Sequence, residues 1–86
     1  AVKWFKLAAE QGNALAMKNL GLLLGSNATA LKNQVYAHMW LTVSRSLGNK
    51  EAADLQDILV RMMTPYQIKK AKKLARKCVT KNYKGC

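Results

Sequence analysis

Acidic side chains are scarce in this 86-residue chain. Four Asp+Glu stand against 15 Lys+Arg, a formal net charge of +11 at pH 7, and no acid follows Asp57. There is one histidine (His38), one proline (Pro65) and two cysteines (Cys78 and Cys86). The one His lacks a plausible base-orienting neighbour in sequence, so no Ser/His/Asp or Cys/His constellation can be assembled. Two cysteines and one distant His do not make the spacing of a zinc site. A phosphate-cradling glycine loop and a haem-attachment motif are likewise missing from the sequence. No apolar run approaches the roughly 20 residues that cross a bilayer, and the longest, Leu20 to Leu24, is broken by Gly21. The expectation is a protein with no enzymatic activity, cofactor, metal or membrane span.

What is present is a repeat. Ala1, Trp4, Gly12, Asn13 and Ala16 recur as Ala37, Trp40, Gly48, Asn49 and Ala52, each 36 residues on. A fixed period of this size marks stacked helical units. Gly12-Asn13 and Gly48-Asn49 fall where one apolar helical pattern stops and another starts. Gly ends a helix at positive φ, and Asn caps the next. Helices are expected over 1–11, 14–24, 32–47 and 51–63. Their inward stripes are Trp4, Leu7, Ala8 and Gln11; Leu15, Leu20, Leu23 and Leu24; Val35, Met39, Trp40 and Val43; and Ala52, Leu55, Leu59 and Met62. Trp4 and Trp40 read as core residues, since aromatic side chains at helical spacing usually pack. The loop between the hairpins contains Asn27-Ala28-Thr29, a glycosylation acceptor triplet of the kind that often arises by chance.

Thr64-Pro65-Tyr66-Gln67 reads as a capping box with Pro at the first helical position. It opens a fifth helix running to Thr80 or Lys81, with Ile68, Ala71, Leu74, Ala75, Cys78 and Val79 as its apolar stripe. Lys69, Lys70, Lys72, Lys73, Arg76 and Lys77 cover the remainder, a field that favours anionic partners. The plainer alternative for the same run is a solvated helix face. Glu51, Asp54 and Asp57 share one side of the fourth helix and are expected to attract this basic one. Cys78 and Cys86 would lie ~12 Å apart if the helix continued, beyond the ~7 Å a disulfide tolerates. A bridge therefore requires a reversal through Asn82 to Gly85, and two free thiols are the alternative.

Ala1, Trp4, Phe5, Ala8, Ala9, Gly12, Ala16, Leu20 and Gly21 match, position for position, the pattern of the Sel-one-like repeat, a relative of the tetratricopeptide repeat. The second unit resembles it less: Leu41 replaces the aromatic, Ser44-Arg45 the paired alanines, and Gln56-Asp57 the Leu-Gly pair. The resemblance covers residues 1–63, and the basic tail looks like the C-terminal ends of bacterial members. It implies an all-α fold, a short α-solenoid of two helix-turn-helix repeats plus a C-terminal basic capping helix. The parts of this single domain would be 1–31, 32–63 and 64–86. Such a chain is small, burying only ~60–65% of its unfolded surface. It also opens in mid-pattern, so it is expected to belong to something longer. Secreted members carry cysteine pairs at the same gap, which implies a Cys78–Cys86 disulfide and an oxidising compartment, the bacterial periplasm or the exterior.

The function implied is a protein–protein interaction scaffold or adaptor, an accessory or assembly subunit of a larger, possibly membrane-associated, bacterial complex. Lys3, Lys6, Tyr36, His38, Thr42 and Arg45 are the expected exposed contacts along the first helix of each pair, with His38 reading otherwise as a helix-surface or satisfied interior residue. The alternative is an electrostatic binder of an acidic protein, lipid headgroups or nucleic acid through the Lys-rich helix. Nucleic acid is the weakest of the three, because Lys outnumbers Arg 12 to 3 and base readout is mostly Arg work.

Overall fold

The computed structural model describes residues 2–26 and 31–86. These residues form five helices, α1 (Val2–Ala9), α2 (Ala14–Ser26), α3 (Leu31–Ser46), α4 (Lys50–Val60) and α5 (Pro65–Thr80), and the fold is all-α. Asn27, Ala28 and Thr29, the acceptor triplet, lie outside the described residues, as does Ala1.

Two turns of the same construction fold α1 back on α2 and α3 back on α4. Gly12 and Gly48 take φ of 85° and 99°, a region closed to most side chains. Asn13 N–H donates to Ala8 O at 3.3 Å and Gly12 N–H to Ala9 O at 2.9 Å; Asn49 N–H donates to Ser44 O at 3.1 Å and Gly48 N–H to Arg45 O at 3.0 Å. These paired bonds are the Schellman ending, which satisfies the last carbonyls of each helix. Each asparagine then caps the next helix, Asn13 Oδ1 accepting from Ala16 N–H at 3.0 Å and Asn49 Oδ1 from Ala52 N–H at 3.2 Å. The 36-residue offset in sequence is thus repeated in the turn geometry.

Helix α3 is the centre of the packing, with α2, α4 and α5 all against it. From Gln34 to Ser44 only Tyr36 and Thr42 escape full burial. The expected stripe of Val35, Met39, Trp40 and Val43 is buried, and so are Ala37 and Leu41 on its other sides. Helix α2 comes unusually close. A Cβ at Gly21 would lie 2.7 Å from Leu41 Cγ and 3.1 Å from the Ala37 carbonyl oxygen.

The first helix departs from expectation. Trp4 is 75% exposed and Leu7 48%, whereas Trp40 is 2% exposed. The two tryptophans occupy equivalent sequence positions but different environments. Helix α1 packs mainly against α2 and turns Phe5, Ala8 and Ala9 inward, which leaves its Trp4 side exposed. Leu15, Met62 and Val79, also expected inside, are exposed. For Met62 the reason is local: α4 stops at Val60, three residues short of the expected end, and the following turn carries Met63 into the core instead.

Helix α5 begins with the full capping box, Thr64 N–H to Gln67 Oε1 at 2.8 Å and Gln67 N–H to Thr64 Oγ1 at 3.2 Å. It lies along α3 and leaves the helix at Lys81, where Tyr83 N–H donates to Cys78 O at 2.9 Å. Asn82, Tyr83 and Gly85 have φ of 54°, 68° and 71°, the reversal that a bridge requires. Cys78 and Cys86 are joined, with Sγ atoms 2.04 Å and Cα atoms 5.6 Å apart. The returning tail meets the first hairpin, where Gly85 N–H donates to Glu10 Oε2 at 3.3 Å and Tyr83 Cε2 would stand 3.4 Å from a Cβ at Gly12.

Two glycines in α2 predict opposite outcomes. Gly21→Ala drives a methyl into Leu41 and is expected to cost about 1–3 kcal/mol. Gly25→Ala meets nothing closer than 3.9 Å and is expected to stabilise by about 0.5–1 kcal/mol through helix propensity. Urea midpoints of the two variants measure both. Reducing the disulfide, or Cys86→Ser, is expected to remove about 2–3 kcal/mol, read as a lower midpoint that a reductant lowers no further in the variant.

Candidate functional site

The six expected contact residues do not form one surface. Lys3 and Lys6 are exposed on α1, on either side of Trp4 in sequence, and Arg45 is exposed near the end of α3. Tyr36 and Thr42 are half-buried. His38, expected to be exposed, is 3% exposed. The correction has a clear cause. Helix α5 lies over this side of α3, so Ile68 and Lys72 line the same cleft as His38 and Thr42, together with Gln56 and Asp57 of α4.

That cleft, about 440 Å³ in volume, holds a connected polar group. Thr42 Oγ1 donates to the His38 carbonyl at 2.8 Å and lies 3.3 Å from His38 Nδ1. Gln56 Nε2 donates to Thr42 Oγ1 and, at 3.3 Å, to the His38 carbonyl. Arg45 donates to Gln56 Oε1 at 3.4 Å. Buried polar groups must find such partners, since an unpaired one is costly in a low-dielectric interior. Burial holds the His38 pKa below its ordinary 6.5, and the Lys72 charge lowers it further. A signal for this burial was in the sequence: α3 carries apolar residues on every side, so its polar residues must also be interior.

The basic face of α5 is where the sequence placed it. Lys69, Lys70, Lys72, Lys73, Arg76 and Lys77 are all exposed, while Gln67, Ala71, Ala75 and Cys78 form the buried side. The attraction expected from Glu51, Asp54 and Asp57 does not take the form of ion pairs to α5. Among the described residues the one pair within 4 Å joins Lys18 Nζ of α2 to Glu51 Oε2 at 3.1 Å. Helix α5 lies chiefly along α3, and among the described residues none of its cations comes within 4 Å of an acid, although Lys72 shares a cleft with Asp57.

Two apolar surfaces that periodicity missed complete the inventory. Trp4, Leu7 and Leu15 are exposed on the first hairpin. Leu22, Ile58 and Met62 edge a shallow groove of about 190 Å³ between α2 and α4. Among the described residues no three His, Cys, Asp or Glu side chains converge on a possible metal position, and no helix is long and apolar enough to cross a membrane.

His38 generates a pH prediction. Its folded-state pKa is lowered, so on acidification the unfolded chain takes up the proton first. Stability should therefore fall as the pH drops below about 6.5, levelling off once the folded form also protonates. Urea midpoints between pH 7.5 and 5 should decline more steeply for the wild type than for His38→Gln. No family model matches the chain, and no curated protein or solved structure was found to be similar to it.

Proposed function

We propose that the protein is a protein-binding scaffold made of two Sel-one-like helical hairpins, residues 1–31 and 32–63, with residues 64–86 as a basic cap. It would act as an accessory or assembly subunit of a larger bacterial complex, in the periplasm or outside the cell. The observation that carries this reading is the 75% exposure of Trp4, with Leu7 at 48% and Leu15 at 56% on the same hairpin. An aromatic anchor beside aliphatic side chains is the type of group that dominates binding energy at protein interfaces.

The protein's own fold supports a particular kind of partner. Trp40 lies in one buried cluster with Met17 and Leu20 of α2 and with Ala75 and Cys78 of α5, and a foreign helix laid on α1 would bury Trp4 in a comparable way. Lys3 and Lys6 are exposed beside it, so the fitting occupant is an amphipathic helix whose apolar stripe is bordered by Asp or Glu. A second copy fits poorly. On α4 the positions equivalent to Leu20 and Gly21 are Gln56 and Asp57, which offer neither apolar area nor close approach. The Cys78–Cys86 bridge fits an oxidising compartment.

A second reading rests on α5, whose exposed cations lack acidic partners. Lys is a point charge that meets carboxylates or phosphates without the bidentate geometry of Arg. Acidic protein surfaces or anionic lipid headgroups suit it best.

Site-specific photo-crosslinking in the native host separates the two. With a benzoylphenylalanine at position 7, a discrete protein adduct is expected that persists from roughly 50 to 200 mM salt. It should disappear in Trp4→Ala and survive the charge reversal of Lys69, Lys73 and Lys77. Adducts formed only from position 73, and lost with salt, would overturn the scaffold reading in favour of the electrostatic one.

A further inference from the structure

Where α3 and α5 begin they leave an open groove of about 550 Å³ between them, lined by Val35 and Tyr36 of α3 and by Thr64, Tyr66, Gln67, Lys70 and Leu74. Val35, 7% exposed, and half-buried Leu74 form an apolar floor. The ring of Tyr36 is half-buried, while Tyr66 is 75% exposed and stands at the mouth. Thr64 Oγ1 and Gln67 Oε1 each accept a backbone N–H in the capping box. The side-chain groups lining the groove are therefore donors, the two phenols, the Thr64 hydroxyl and the Gln67 amide, with the ammonium of Lys70 as the one charge. No acidic side chain lines the groove, in contrast to the His38 cleft, where Asp57 stands among the cations.

Volume, lining and charge together define a guest. Small-molecule sites are typically ~300–1,000 Å³, largely apolar, with a few polar groups that fix orientation. Tyrosine supplies flat apolar area with a hydroxyl at the tip. A lysine lays its stem along apolar surface and keeps its charge at the edge. A strongly hydrated polyanion would leave the floor unused, and a neutral apolar molecule would leave Lys70 unused. We infer that this groove binds a small amphiphilic monocarboxylate, its apolar body between Tyr36 and Tyr66 over Val35 and Leu74, and its carboxylate at Lys70. No α1 residue takes part, so the inference is independent of what covers Trp4.

Dodecanoate, titrated below its micellar concentration into the intact oxidised protein, tests this by amide chemical shifts. Saturable one-to-one binding with Kd below ~1 mM is expected, the ligand-efficiency range for a molecule of this size. The shifts should centre on Val35, Tyr36, Tyr66, Lys70 and Leu74. Lys70→Glu and Tyr66→Ala, both at exposed positions, should each weaken binding at least ~5-fold, about 1 kcal/mol. Lys77→Glu changes the net charge equally on the same helix and should leave Kd within about twofold. Dodecyltrimethylammonium should bind far more weakly. Equal losses in Lys70→Glu and Lys77→Glu, shifts centred on Leu22 and Met62, or no saturation would each overturn the inference.

Discussion

The burial of α3 from all sides is the constraint on which the rest of this structure depends. A helix with neighbours on three sides needs apolar residues around its whole circumference, and any polar residue it carries must find its partner within the protein. Both demands are met. Helix α2 reaches van der Waals distance through Gly21, and Ser44 donates to the Ala14 carbonyl at 2.6 Å. His38 and Thr42 are joined to Gln56 of α4. The short α4 and the cationic α5 therefore do more than cover a surface: they supply hydrogen bonds and apolar area to a helix that neither α1 nor α2 could bury alone.

The same arrangement explains how so basic a helix is held. In α5 the small residues Ala71, Ala75 and Cys78 are buried, which lets the backbone approach α3 closely and leaves the long Lys and Arg side chains exposed at its edges and outer side. Its attachment comes from the stripe, the capping box at one end and the disulfide at the other. Charge pairing with α4 contributes no close contact, in keeping with the small energies of exposed ion pairs. The like charges along its outer face repel one another, and the buried side offsets that repulsion.

What the sequence made legible was local. Gly12-Asn13, Gly48-Asn49 and Thr64-Pro65-Tyr66-Gln67 name their structures because their chemistry acts within six residues. The helices they delimit fall within three residues of expectation, and the Cys78–Cys86 reversal follows from Asn82 and Gly85. What escaped was which side of each helix would have a neighbour. Trp4 and Trp40 share a pattern position, yet α1 has one helical neighbour and α3 has three. Periodicity identifies an apolar side without saying what meets it. For His38 the failure was of the opposite kind. A polar residue was read as exposed because α5 was expected at the end of the stack and not along α3. The Tyr36–Tyr66 groove was invisible for the same reason, since it is lined by residues of both α3 and α5.

The contact between the tail and the first hairpin has a kinetic consequence. Gly85 and Glu10 are 75 residues apart in sequence, nearly the length of the chain, and Tyr83 rests against the glycine that turns α1 into α2. Contacts of such long sequence separation raise the contact order and slow folding. During synthesis the hairpin α1–α2 emerges before α5, and the edge of its turn stays uncovered until Tyr83 and Gly85 have been made and can return to it. The first turn is thus sealed only by the segment that follows α5, and the hairpin it belongs to waits for that segment.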